Sequence, residues 1–192
     1  IKTIHYMEKK YSKWKKSALF SAFILLIVII AGIYWSPYQA YDGFPYKLVK
    51  HTVEIDAPVQ NVFKFLGNSK NASKWSVFVN HISPLNSDSF PDGAVGSRRR
   101  CFCNADETGT QWDELITENI PNIKRQLTIY NLKGFSMTVE HLATEQLYEV
   151  LNENKCKLTF TVFYKDAQPT FWETVKTYIQ SYKLKDIFEQ NM

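Results

Sequence analysis

The sequence has little of what disulfide scaffolds and metal centres require. It contains 3 cysteines among 192 residues, which is too few for a disulfide framework. Cys101 and Cys103 share one face of a predicted strand. With Cys156 they offer three metal ligands or one disulfide bond, and buried free thiols are the simpler interpretation. The 4 histidines show no HExxH or HxH spacing, so we predict neither a zinc site nor any metal site.

Motifs for common catalytic chemistry are also missing. The sequence contains no GxSxG nucleophile elbow, no P-loop and no glycine-rich dinucleotide fingerprint. We therefore predict no cofactor, and a protein without enzymatic activity is favoured over an enzyme. The net charge of +4 does not indicate nucleic-acid binding, because residues 1–16 alone carry six lysines and one glutamate. The remainder is nearly neutral, so no nucleic-acid partner is expected.

Charge is absent from one long stretch, residues 17–41, and this is the most informative feature of the chain. Within it, residues 18–35, beginning at Ala18 and ending at Trp35, are almost wholly apolar. About 20 such residues form a helix long enough to cross a hydrocarbon core of ~30 Å. The sequence therefore predicts a single transmembrane helix. A cleaved signal peptide is the rival interpretation, but its apolar region is usually shorter, about 7–15 residues.

The flanks of this run predict its orientation. Lysines precede it, and positive charge concentrates on the cytosolic side of a spanning helix. The N-terminus is therefore expected in the cytoplasm and the C-terminal domain outside it, on the periplasmic side of a bacterial inner membrane. Ser17 and Ser21 form a small-xxx-small pair that favours contact with a partner helix. The predicted division is a basic tail at 1–16, a transmembrane helix at 17–36, a juxtamembrane linker at 37–48 and one domain at 49–192.

The domain begins with a strand and two short helices and continues with strands. Asp56 is the predicted N-cap of the first short helix, and residues 72–79 form the second. A terminal helix begins with the capping box Thr170–Glu173, and its apolar face contains Phe171, Val175, Ile179 and Tyr182. In the long strand predicted at 136–150 the apolar phase slips near 143–145, where we expect a β-bulge. The strands that follow the short helices are predicted at 97–103, 110–118, 124–130, 136–150 and 155–164.

Several segments resemble the START-like, or SRPBCC, superfamily, which includes polyketide cyclase/dehydrase-like and Bet v 1-like proteins. They are HTVEIDAPVQNVFKFL, the tryptophan of SKWSVFV, the glycine of GAVGSRRR and QWDELITENIPNIKRQL, followed by the amphipathic terminal helix. The resemblance runs from His51 to about Phe188. It implies an α+β helix-grip fold, in which a curved antiparallel sheet wraps around the long C-terminal helix and leaves a deep apolar cavity. It transfers no catalytic motif.

The candidate site residues follow from strand alternation and from the expected cavity. Arg98 and Arg100 fall on one face of their strand, and Arg99 on the other. Glu114 shares a face with Trp112, and the sequence leaves open whether this face looks into the cavity. If it does, Glu114 is a desolvated candidate general acid or base; a solvated or Arg-paired glutamate on the outer face is favoured. The expected cavity residues are Trp75, Trp112, Glu114, Phe160 and Trp172.

Three functions fit these patterns. The favoured one is a membrane-anchored extracytoplasmic domain that binds a lipid or another hydrophobic small molecule between the sheet and the terminal helix. The second is a structural or accessory subunit of a larger membrane complex, whose helix packs on other membrane subunits. The third is a cyclase/dehydrase-type enzyme that uses Glu114 or a histidine inside the cavity.

Overall fold

The computed structural model describes residues 2–135, 142–165 and 170–191, with side chains from residue 15 onward. The chain divides into two compact units, Ile1–Ser36 and Pro37–Met192. The first contains helix α1, Lys2–Tyr34. Its segment Lys15–Tyr34 is long and apolar enough to cross a membrane, and no part of it is buried.

The second unit is built on a seven-stranded antiparallel sheet. The strand order is β1-β7-β6-β5-β4-β3-β2, so the first and last strands of the sequence pair along their whole length. One helix and two short helical turns follow β1, and a long helix ends the chain. The bounds are β1 Leu48–Ile55, α2 Val59–Gly67, a 3-10 turn Ser69–Asn71, α3 Ala72–Trp75, β2 His81–Pro84, β3 Arg98–Phe102, β4 Gln111–Ile120, β5 Lys124–Lys133, β6 Leu142–Asn152, β7 Lys155–Tyr164 and α4 Phe171–Asn191.

The fold class predicted from the sequence is confirmed, but several local features differ. The register is regular at 143–145, where a bulge was expected, and the irregularity of β6 lies between Val150 and Asn152. Two further register shifts lie in β4, which the alternation pattern did not reveal. Residues 136–141 of the predicted fifth strand lie outside the described residues. The second short helix ends at Trp75, because Ser76 is already extended.

The N-cap of helix α2 lies two residues after the predicted one. Pro58 occupies the N-cap position with extended backbone angles, and no side chain caps the helix. Asp56 lies outside this position, so the predicted Asp56 cap is wrong. Proline is suited to a helix start because it has no N–H group to leave unpaired. The apolar residues Val59, Val62 and Leu66 of α2 are buried against the sheet.

The core lies between the inner face of the sheet and the helices, with a smaller cluster on the outer face. The inner residues of β7 are Leu158, Phe160, Val162 and Tyr164, which confirms the alternation predicted for this strand. A second inner cluster surrounds Trp112. On the outer face, Leu48, Ala143 and Phe163 are buried under residues from the segment that precedes β1.

The segment before β1, predicted as a linker, packs on the domain. Tyr38 is 5% exposed and belongs to the main core cluster, and Gln39 forms a β-bridge with Leu48. The ring of Tyr38 contacts those of Tyr164 and Tyr178, with centroid distances of 6.3 and 5.5 Å. The packed part of the domain therefore begins at residue 38, before β1.

The capping box of α4 forms as predicted. The Thr170 backbone N–H donates to Glu173 Oε2 at 2.7 Å, and the Glu173 backbone N–H donates to Thr170 Oγ1 at 3.3 Å. We expect Thr170→Ala to lower the free energy of unfolding by about 1 kcal/mol, because the Glu173 N–H loses its acceptor. Thr174→Ala, four residues on, is the control. Chemical denaturation of the two variants checks this, and equal losses would contradict the cap.

The apolar face predicted for α4 is largely exposed. Phe171, Trp172 and Ile179 are exposed, while Thr177, Ser181 and Phe188 are buried. The side of the helix that faces the sheet borders a cavity and does not fit into a close-packed core. Small polar side chains can border this cavity, because their hydroxyl groups are paired within the helix. Thr177 and Ser181 both donate hydrogen bonds to backbone carbonyl groups of α4.

Candidate functional site

A cavity of about 450 Å³ lies between the inner face of the sheet and α4. Its volume is in the range of small-molecule sites. The wall is mostly apolar, because the inner positions of β4 to β7 carry large hydrophobic side chains. The apolar lining includes Trp75, Phe78, Trp112, Leu127, Ile129, Leu142, Phe160, Val162, Leu184 and Phe188.

A buried ion pair forms one polar part of this wall. Arg99 Nε of β3 donates to Glu114 Oε2 of β4 at 2.7 Å, and Trp112 Nε1 donates to Glu114 Oε1 at 2.9 Å. Arg99 is 5% exposed and Glu114 is 7% exposed. Burial alone lowers the pKa of Arg99, but the charge of Glu114 raises it above the usual value. Both carboxylate oxygens have a donor, so Glu114 is held in place.

The next residue pair lies on the opposite face of the same two strands. Arg100 donates to both oxygens of Asp113, at 2.6 and 2.9 Å, and Asn131 donates a third hydrogen bond to that carboxylate. Burial opposes the ionisation of Asp113, but these donors hold its pKa below the usual value. The alternation predicted for Arg99 and Arg100 is therefore present, and only Arg99 reaches the cavity.

A second buried cation lies between α2 and the sheet. Arg125 of β5 donates to Gln146 Oε1 at 3.0 Å and to the Phe63 carbonyl oxygen at 3.3 Å, and it lies 4.4 Å from the centroid of the Phe63 ring. Burial lowers its pKa. Its Nε has no partner among the described residues. Gly67 allows this position, because a side chain there would collide with the guanidinium group.

Tyr148 completes this cluster, and burial raises its pKa to about 12. Its hydroxyl donates to Gln146 Oε1 at 2.6 Å. An unfolded tyrosine loses its proton near pH 10. Between about pH 10 and about pH 12 the folded state therefore holds a proton that the unfolded state has lost, and stability falls as the pH rises.

We expect this effect to reach about 2–3 kcal/mol for Tyr148 at the upper end of that range. The slope should be smaller in Tyr148→Phe, although not zero, because burial also raises the pKa of Tyr38 to about 12. Urea denaturation of both proteins across this pH range checks the prediction. Identical slopes would mean that the Tyr148 hydroxyl is not buried.

Helix α4 contributes the remaining polar groups. Tyr164 and Thr177 form a hydrogen bond of 2.5 Å between their hydroxyl groups, and Ser181 Oγ donates to the Tyr178 carbonyl at 2.7 Å. Tyr164, Thr177 and Ser181 all line the cavity. Several polar groups of the wall are thus held by hydrogen bonds within the domain. The indole Nε1 of Trp75 is buried and has no partner among the described residues.

Four of the five residues predicted for the cavity line it: Trp75, Trp112, Glu114 and Phe160. Trp172 does not, because it is 70% exposed on the outer side of α4. The favoured interpretation of Glu114 is correct about its pairing with an arginine. It is wrong about the face, because Glu114 lies on the inner face of the sheet. Whether any of these residues binds a ligand stays a prediction.

The sequence analysis missed the polar cluster of Arg125, Gln146 and Tyr148. Arg125 alternates in phase with Leu127 and Ile129, which was a signal that it points inward. The His81 ring is hydrogen-bonded to the side chains of Asn80 and Glu107 at the surface, and His81 is not part of the cavity wall. His141 lies outside the described residues.

The cysteines are free thiols in this structure, and the burial of Cys101 raises its pKa well above the usual value. Within residues 2–135, 142–165 and 170–191, no three His, Cys, Asp or Glu side chains lie close enough to hold a metal ion. Burial also raises the pKa of Cys103 and Cys156. A raised pKa keeps a thiol protonated and unreactive, so these residues do not resemble catalytic cysteines.

Comparison with known proteins assigns the fold. No protein-family model matches the sequence, and a search of curated proteins finds no match. A START superfamily protein from Mycobacterium smegmatis is 10% identical, covers 74% of this chain and 96% of its own, and has a TM-score of 0.50. The domain has the START-like helix-grip fold.

Two further structures with this fold are similar to the chain. A protein from Thermobifida fusca, determined by solution NMR, is 15% identical over 73% of this chain and 85% of its own, with a TM-score of 0.55. Norcoclaurine synthase from Thalictrum flavum, solved with dopamine and hydroxybenzaldehyde, is 13% identical over 76% and 83%, with a TM-score of 0.53. The resemblance to START-like proteins inferred from the sequence is confirmed at the level of the fold. Identity this low carries no conclusion about function.

Proposed function

We propose that this START-like domain binds a lipid or another hydrophobic small molecule in its cavity and is anchored to a membrane by α1. The observation that carries the proposal is the cavity of about 450 Å³ behind a mostly apolar wall. Burial of an apolar ligand there supplies affinity at ~25 cal/mol per Å² of apolar surface, reduced by the entropy lost on binding. A few polar groups then orient the ligand.

An enzymatic role is less well supported. Glu114 is the only carboxylate on the cavity wall as the structure describes it, and Arg99 and Trp112 occupy both of its oxygens. A general base must reach a substrate proton directly or through one water. Glu114 would first have to break its ion pair with Arg99, so we assign it a structural role.

The anchor and its orientation complete the proposal. Segment Lys15–Tyr34 has the length of a membrane span, and the lysines before it favour a cytoplasmic N-terminus. The START-like domain would then lie outside the cytoplasm, on the periplasmic side of a bacterial inner membrane. Residues 35–37 alone separate Tyr34, where α1 ends, from the buried Tyr38. Three residues keep the domain close to the bilayer surface, where it can take up a membrane-derived ligand.

Native mass spectrometry of the full chain, extracted gently from its own membrane, tests this function. We expect a small apolar adduct that is released on denaturation. Stoichiometric protein partners without any small adduct would overturn the proposal in favour of an accessory subunit. A bare chain with neither would also overturn the carrier role.

A further inference from the structure

The residues that directly precede β1 pack on the outer face of the sheet. We name residues 38–47 the strap. The rings of its Phe44 and Tyr46 contact the ring of Phe163, with centroid distances of 4.9 and 5.5 Å. Phe163 is 1% exposed under this cover. The second half of the strap is therefore fixed to the sheet.

The strap also reaches the inner face, through its first residue. The backbone of Gln39 forms two hydrogen bonds with Leu48, of 2.8 and 3.1 Å, and Leu48 belongs to the outer cluster. Because successive side chains of an extended chain point to opposite faces, Tyr38 points inward. The Tyr38 side chain is 5% exposed and lines the cavity. The strap thus supplies a part of the cavity wall.

Tyr38 lies at one end of an elongated cavity. The residues of α4 that line the cavity run from Thr177 to Asn191, a stretch of helix about 21 Å long. The Tyr38 ring packs edge to face on the rings of Tyr164 and Tyr178, with centroid distances of 6.3 and 5.5 Å. The hydroxyl of Tyr164 is in turn hydrogen-bonded to that of Thr177. A ligand that extends along α4 therefore meets the Tyr38 ring at the Thr177 end.

We propose that Tyr38 is the end wall of the ligand site and sets the length of the molecule that the cavity accepts. This inference rests on the proposed function and narrows its ligand class to apolar molecules of limited length. Each CH₂ group that becomes buried raises the affinity about fourfold. The affinity therefore rises with chain length until the ligand reaches the Tyr38 ring, and it falls beyond that length because a longer chain collides with the ring. The ligand site includes a residue of the segment that joins α1 to the sheet.

Competition between linear primary alcohols, from octanol to eicosanol, tests this proposal in the full-length protein. An equimolar mixture is added to delipidated protein in detergent, and the alcohols that stay bound through gel filtration are identified by gas chromatography. We expect one preferred chain length for the wild type. In Tyr38→Ala the preferred length should increase by about two carbon atoms or more, with a gain in affinity for these longer alcohols of about tenfold. In Tyr38→Trp the preferred length should decrease, because the larger ring shortens the cavity.

A strap residue outside the cavity provides the matched control. Tyr41 lies under the Lys50 ammonium group, 3.9 Å from its ring centroid, and is not part of the cavity wall. Tyr41→Ala should therefore keep the preferred length of the wild type. A variant that is only partly folded binds less of every alcohol, but its preferred length does not change.

The pattern of chain lengths separates the possible failures. A preferred length in the wild type that both Tyr38 variants share would overturn this inference and leave the proposed function intact. An increase in Tyr41→Ala as large as that in Tyr38→Ala would also overturn it, because the ring of Tyr38 would not be the boundary. A wild type that retains no alcohol of any length would overturn the ligand-binding function and this inference together.

Discussion

Replacing Glu114 with alanine should lower the free energy of unfolding by about 3–5 kcal/mol. The substitution leaves the Arg99 guanidinium buried without its carboxylate partner, and it removes the acceptor of Trp112 Nε1. Arg99 is 5% exposed, so bulk water has little access to the position of the lost partner. Urea denaturation of the full chain in detergent, monitored by circular dichroism, measures the change.

The matched control removes both charges together. We expect the double variant Arg99→Met, Glu114→Leu to lose less stability than Glu114→Ala, because no unpaired ion stays buried, although Trp112 Nε1 loses its acceptor in both. Asp113→Ala on the outer face should cost less than Glu114→Ala, since its partner Arg100 is partly exposed. A loss below about 1 kcal/mol for Glu114→Ala, the value of a surface ion pair, would contradict a buried pair.

Replacing Thr144 with phenylalanine should reduce the affinity of the cavity for its ligand at least about fivefold. Thr144 lies near the start of β6 and lines the cavity, so the added ring occupies the space of a ligand. Overpacking in a filled site costs about 1–3 kcal/mol, which corresponds to a loss of affinity of about fivefold to 150-fold. Mass spectrometry of the apolar molecules that copurify with the variant measures the loss.

The same substitution on the other face of the sheet provides the control. Thr52 is exposed and is bonded only to Thr159 on that face, so Thr52→Phe should keep the copurified ligand. Both variants should retain the circular dichroism spectrum of the wild type. If both variants keep their ligand, or both lose it, the molecule binds somewhere other than the cavity.

Strand alternation predicted correctly which residues of a strand share a face. It separated Arg99 from Arg100 and put Trp112 on the face of Glu114, because side chains of a paired strand must point to alternate faces. It could not show which face carries the cavity. That depends on the side of the sheet on which α4 packs, a long-range contact that one strand's sequence does not encode.

The periodicity of α4 suggested burial of its apolar side, whereas the structure exposes that side. An amphipathic pattern identifies an apolar side of a helix, and the usual assumption is that this side is buried in the core. Here the inward side borders a cavity and carries Thr177 and Ser181, while Phe171 and Trp172 point outward. The apolar side of the helix was identified correctly, but the assumption that it packs in the core was wrong.

The buried cluster of Arg125 was the least predictable feature. A single arginine in a strand is usually solvated, and the residues that surround it, Phe63, Gln146 and Tyr148, come from three separate segments. Only the phase that it shares with Leu127 indicated an inward position. Its burial depends on Gly67, where the absence of a side chain leaves room for the guanidinium group.

A crystallographic map of the cavity, from full-length protein purified out of its own membrane, tests the central claim most directly. We predict density for an elongated apolar molecule bounded by Trp112, Leu127 and Phe160. A cavity that is filled by the protein's own side chains, or that holds only ordered water, would contradict the ligand-binding account.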